Sequence, residues 1–176
     1  ERYFDGGGFA ADLARRVAIP TESQNPARGA ELRAYLEDEM RPSLERQGFR
    51  CTLLANPSAQ GGPFLLAERT EDAALPTVFS YGHGDVIRGQ DAQWRTGLSP
   101  WRITVEGERW YGRGTADNKG QHTINLGALA AVLAARGRLG FNLKLLIETG
   151  EEVGSPGLRE VCEQNRELFG GDVFIA

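Results

Sequence analysis

Val78-Phe-Ser-Tyr-Gly-His-Gly-Asp85 is a run of apolar and small residues that ends in a glycine turn bearing two ionisable side chains. The first four residues read as a buried strand, and the turn presents His83 and Asp85 at its carboxyl end. A second apolar strand is expected over Phe141 to Glu148, with Glu151 and Glu152 directly beyond it between Gly150 and Gly154. Between the two lies Gly112-Arg-Gly-Thr-Ala-Asp-Asn-Lys-Gly120, which carries Asp117 and leads into an apolar, alanine-rich helix over about Thr123 to Ala135, ended by Gly137. Strands alternating with helices in this way predict an α/β sandwich with a largely parallel central sheet flanked by helices. Such sheets place ligands beyond the carboxyl ends of their strands, where His83, Asp85, Glu151 and Glu152 fall.

The rest of the chain fits around this frame. Ala10, Leu13, Ala14 and Val17 form a helical stripe stopped by Pro20, and Thr21 to Arg28 reads as a loop. Leu32, Tyr35, Leu36 and Met40 mark a second helix, which Pro42 should kink or restart and Gly48 should cap. Phe49 to Ala55 alternates as a strand, Asn56 to Pro63 is turn chemistry, and Phe64 to Glu68 is another strand. Trp101 to Tyr111 reads as a hairpin turning at Glu106-Gly-Glu108. A helix is expected over Leu158 to Leu168 and a last strand from Asp172 to Ala176.

With 176 residues, 40% hydrophobic and 25% charged, the composition suits one globular domain. A net charge of −4 with mixed signs offers no electrostatic case for nucleic acid or an anionic membrane. No apolar run approaches the roughly 18 residues that span a bilayer. Cys51 and Cys162 belong to no Cys-x-x-Cys pair and read as reduced thiols, which points to a cytoplasmic protein.

Each polar cluster has a plain reading beside a chemical one. His83 and Asp85 lie two positions apart in extended backbone, so their side chains can share one side, and a carboxylate is the usual partner of a metal-binding imidazole. A lone His-x-Asp pair also arises by chance. The glycines around Asp117 permit close backbone approach, either to a ligand or merely in a tight turn. Neither a Walker loop nor a strand–Gly-x-Gly-x-x-Gly–helix unit is present. Adjacent Glu151 and Glu152 could be a solvated face; equally, one could ligate a metal while the other serves as general base.

Taken jointly, Tyr81-Gly-His-Gly-Asp-Val86, Trp94 with Pro100-Trp101, Trp110 to Gly120 and Glu148-Thr-Gly-Glu-Glu-Val-Gly-Ser155 resemble one family. It is the family of metallopeptidases and deacylases that includes carnosinase-type dipeptidases, aminoacylase, glutamate carboxypeptidase, acetylornithine deacetylase and succinyl-diaminopimelate desuccinylase. The resemblance implies two zinc ions (cobalt or manganese as substitutes) bridged by a carboxylate and a water. By position, His83 and Glu152 each bind one ion, Asp117 bridges them, Glu151 is the general base and Asp85 orients His83. It also implies a cis peptide between Asp117 and Asn118.

The family's pattern continues with a further Asp ligand after the strand at Asp172 to Ala176, and later a His ligand. His122 is the remaining histidine, and it reads as a helix-start residue. Residues 1–176 are therefore expected to be the N-terminal part of a catalytic domain, without the lid or dimerisation domain, with an exposed apolar sheet edge and inactive alone. The expected function is hydrolysis of an amide bond in a small dipeptide or N-acyl amino acid, by a homodimer joined through the lid. A dipeptidase is favoured by Glu-Glu-Val-Gly-Ser-Pro-Gly-Leu158, with an N-acyl amino acid deacylase as the enzymatic alternative. The non-enzymatic alternative is a truncated binding or assembly module.

Overall fold

Two strands are largely buried on both faces, and they form the middle of the sheet. β2 (Phe64–Arg69) and β6 (Asn142–Glu148) pair antiparallel in register Leu65↔Ile147 and Ala67↔Leu145. In this computed structural model, which describes residues 2–176, the sheet has the order β1-β2-β6-β3-β7. β1 is Arg50–Leu54, β3 is Thr77–His83 and β7 is Val173–Ile175. β3 runs parallel to both β6 and β7, while β2 runs antiparallel to both β1 and β6. Thus β1, β3, β6 and β7 point one way and β2 alone opposes them. A separate hairpin pairs β4 (Thr104–Glu106) with β5 (Arg109–Tyr111).

Period-two alternation sends the side chains of the central strands into two cores. Leu65, Ala67, Leu143, Leu145 and Ile147 face a layer built by α3 (Gly29–Ala34), a π-helical turn (Tyr35–Met40), α4 (Arg41–Glu45) and α5 (Lys119–Arg136). Phe64, Leu66, Phe79 and Leu146 face Val161 of α6 (Leu158–Gln164), with Leu168 and Phe169 beyond it. The result is helices on both sides of a sheet. α1 (Arg2–Asp5) and α2 (Gly8–Ala18) extend the first layer, with Leu13 and Val17 of the expected stripe buried.

Several boundaries differ from those read in the sequence. β3 runs through His83, because Gly82 and His83 still pair with Ile147 and Glu148; the turn begins at Gly84. Pro42 marks a restart: the π turn ends at Met40 and a new helix, α4, begins at Arg41 with Pro42 in its first turn, where its missing N–H costs nothing. α5 starts at Lys119 rather than Thr123, because Lys119 and His122 are buried with polar partners that no apolar periodicity announces. The expected edge is present: Val173, Phe174 and Ile175 of β7 are 49%, 64% and 55% exposed. Among the described residues Cys51 and Cys162 are free thiols, and no helix is long and apolar enough to cross a membrane.

Candidate metal centre

The parallel pairing of β3 with β6 sets His83 directly across from Glu148, so both strands end at one level. Beyond that level the chain is stitched together. Gly84 N donates to Glu148 O at 2.8 Å, Thr21 Oγ1 donates to Gly84 O at 2.7 Å, and Val86 N donates to Thr21 O at 2.8 Å. These bonds fold the turn after β3 back over the site. Asp85 is thereby buried completely, and its carboxylate accepts the backbone N–H groups of Glu151 and Glu152 at 3.2 and 3.1 Å.

The Glu pair occupies a single 3-10 turn, Glu151–Val153, between Gly150 and Gly154. Gly154 sits at φ 88°, where a side chain would be strained, so the tight turn that exposes Glu151 needs glycine there. Asp117 is carried by the glycine-rich loop, and its peptide bond to Asn118 is cis, as the resemblance implies. Gly120 closes that loop: a Cβ built on it would lie 1.9 Å from the Thr115 carbonyl oxygen. Lys119 anchors the loop from below, with Nζ donating to Ile19 O at 2.6 Å and lying 5.2 Å over the Tyr35 ring.

His83 is the meeting point. Its Nε2 lies 2.9 Å from Asp117 Oδ1 and 3.8 Å from Glu151 Oε2. Its Nδ1 lies 3.1 Å from the main-chain carbonyl of Asp85 and 3.3 Å from that residue's carboxylate. The ring is therefore held by both acceptors of Asp85, while the carboxylate also fixes the Glu turn. Glu152 is brought to the same region, but among the described residues its carboxylate makes no hydrogen bond to His83 or Asp117; its backbone carbonyl accepts from Gln24 Nε2 at 3.3 Å.

The electrostatics follow from this crowding. Burial disfavours charge on the His83 ring, but Asp85, Asp117 and Glu151 outweigh it and raise its pKa to about 9. Burial pushes the Asp85 carboxyl up, yet His83 and the Glu152 N–H bring it below its ordinary value. The Glu152 carboxyl is raised by burial and then by repulsion from Asp117. Burial lowers the Lys119 amine to about 7.

One imidazole nitrogen with several carboxylates is a donor set that suits zinc or a similar divalent cation. Among the described residues no three His, Cys, Asp or Glu side chains close to a cation-holding arrangement. The donor chemistry fits such an ion, and Asp117, which lies against His83 directly, is 73% exposed.

Sequence reasoning passed over Glu148. It is buried, its Oε1 accepts from the Tyr81 hydroxyl and from Ser155 Oγ (2.8 Å), and it ties both ends of the Glu turn to the sheet. A charged residue closing an apolar strand was the available signal. His122 is likewise more than a helix-start residue, because its ring is buried and bonded to Tyr35.

Comparison with known proteins bears on the whole arrangement. The model of "Peptidase family M20/M25/M40" matches residues 79–175. Beta-Ala-His dipeptidase of Mus musculus is 38% identical over 108 residues, 61% of this chain and 22% of that protein. Cysteinylglycine-S-conjugate dipeptidase of Corynebacterium striatum is 33% identical over 134 residues, 75% of this chain and 28% of that protein. The crystal structure of human carnosine dipeptidase 1 superposes with a TM-score of 0.87 at 31% identity, covering 98% of this chain and 39% of that one. The chain thus spans between about a fifth and two fifths of the length of these relatives. Matched over the strands, loop and Glu turn that build the site, the chain belongs to peptidase family M20/M25/M40.

Proposed function

We propose that residues 1–176 are the N-terminal part of the catalytic domain of a zinc-dependent hydrolase that cleaves the peptide bond of small dipeptides. The observation that carries this is the convergence of Asp117 and Glu151 on His83 Nε2, with Asp85 holding both the ring and the Glu turn. His83, Asp117 and Glu152 would hold the metal. A divalent ion held there would supply a Lewis acid for the scissile carbonyl and a lower pKa for the attacking water. Glu151, 45% exposed at the lip of the site, takes the proton of that water and passes it to the leaving amine. Asp85 keeps the Glu151 backbone in place during both transfers and fixes the His83 ring.

The names of the relatives support a dipeptide substrate over an N-acyl amino acid. A pair of zinc ions, a cytoplasmic location and a homodimer joined through a lid domain belong to the same reading.

The test uses the full-length protein. Metal analysis should find zinc or an equivalent divalent ion, and dipeptides should be hydrolysed faster than N-acetyl or N-succinyl amino acids. Glu151→Gln should lower kcat by at least 100-fold, in the range of a lost general base, with metal still bound. Preference for acyl substrates would overturn the dipeptidase assignment, and unchanged turnover of Glu151→Gln would remove Glu151 as base.

A further inference from the structure

His122 and Tyr35 face each other in the layer beneath the Asp117 loop, and neither takes part in the chemistry described so far. Tyr35 is fully buried, and its hydroxyl meets His122 Nδ1 at 2.9 Å. The other ring nitrogen, Nε2, is buried without a partner, and so is Oδ1 of Asn118. Both orphans face one point. A Cβ built on Gly82 would lie 2.7 Å from His122 Nε2 and 3.1 Å from Asn118 Oδ1. The Asn118 amide nitrogen is engaged on its far side by Gln121 Oε1, which leaves the oxygen as the end turned toward His122.

The proton positions follow from donor and acceptor counting. The acceptor Asn118 Oδ1 facing Nε2 selects the tautomer with the hydrogen on Nε2, which leaves Nδ1 bare to accept from the Tyr35 hydroxyl. Burial, with Arg16, His83 and Lys119 nearby, lowers the ring's pKa to about 3 and keeps it neutral. A buried N–H and a buried carbonyl oxygen aimed into the same gap are each destabilising if left unmet. Direct contact after a small rotation, or one bridging water above Gly82, satisfies both. A cavity of about 220 Å³ whose polar lining includes Asn118, Gln121 and His122 opens beside these groups.

We infer that Tyr35, His122 and Asn118 form a hydrogen-bond relay that positions Asp117, with His122 as a positioning residue for the metal site. Asn118 is held on one side by Gln121 and on the other by the His122 N–H, and Asp117 is its covalent neighbour. Gly82 is glycine because the relay passes over its Cα. The inference rests on the metal-centre reading, since positioning Asp117 matters only if that carboxylate binds the ion.

The test is made on the full-length protein with two readouts. Selective nitrogen NMR of the His122 ring in metal-free protein should show the hydrogen on Nε2. Zinc affinity, measured by competition with a chromogenic chelator, should fall about 10- to 100-fold in Tyr35→Phe and in His122→Phe, the range for lost partners of metal ligands. His122→Gln, which keeps an N–H donor, should retain most of the affinity. A hydrogen on Nδ1 overturns the relay. Wild type that binds zinc while Tyr35→Phe and His122→Phe bind it equally well also overturns it, and assigns the two side chains to packing alone. Wild type that takes up no zinc overturns the metal-centre reading, and the positioning role with it.

Discussion

Replacing Asp85 by asparagine preserves the shape of a fully buried side chain and removes its charge. In the native protein that carboxylate accepts Glu151 N–H at 3.2 Å and Glu152 N–H at 3.1 Å, and lies 3.3 Å from His83 Nδ1. An amide oxygen can still take one of the two N–H groups. The amide nitrogen then confronts the other donor, so at least one charge-assisted bond, about 1.5–3 kcal/mol, is lost. The loss falls on the Glu turn rather than on the global core, because the bonds end there. Local opening of the turn should therefore become easier by about 2 kcal/mol, which corresponds to roughly 30-fold faster amide exchange at Glu151 and Glu152. Hydrogen exchange resolved to residues 149–154 in the full-length protein measures this directly. Zinc affinity should drop in parallel by about 10- to 100-fold, since the His83 ring loses its carboxylate partner. Unchanged exchange at both glutamates in Asp85→Asn would refute the idea that Asp85 organises the turn, and would leave it as a partner of His83 alone.

Two further outcomes follow from the geometry. Gly120→Ala puts a methyl group 1.9 Å from the Thr115 carbonyl oxygen, a backbone atom that cannot swing away. The cost should reach about 3 kcal/mol, the upper part of the usual overpacking range, visible as a lowered unfolding temperature; a native melting curve would contradict the tight loop closure. His122, lowered to about 3 in the fold, stays neutral where the unfolded chain's histidine, near 6.5, takes up a proton. Its stabilisation is complete above pH 6.5 and is lost as pH falls toward 3, with a slope of up to about 1.4 kcal/mol per pH unit. The difference between wild type and His122→Phe in denaturant titrations across this window should show that slope, and a pH-independent difference would count against it.

The strands around the site were legible because each centres on a short apolar run, and the two central ones are largely buried on both faces. The same holds for the turn residues: Gly84, Gly150 and Gly154 mark where the backbone leaves the sheet and where ionisable groups emerge. Boundaries were less legible where polar residues are buried. The start of α5 at Lys119 was hidden because its first turn, Lys-Gly-Gln-His, has no apolar stripe. Its burial is made possible by partners far away in sequence, Ile19 for Lys119 and Tyr35 for His122. Pro42 announced that the helix restarts, but not that the turn before it would widen into a π turn, which no periodicity in Tyr35–Met40 signals.

Residue type and order alone point to an α/β chain with His83, Asp85, Glu151 and Glu152 beyond the carboxyl ends of two strands and Asp117 in a glycine-rich loop before a helix, because hydrophobic period and turn chemistry are local properties. The division of labour among them is not local. That Asp85 serves the Glu turn as well as His83, that Glu148 ties that turn to Tyr81 and Ser155, and that His122 faces Asn118 across Gly82 all depend on groups brought together by the parallel β3–β6 pairing and the packing of α5 beneath it. A hydrogen bond or an ion pair acts over about 3–4 Å in space whatever the separation along the chain, so tertiary packing selects each polar side chain's partner.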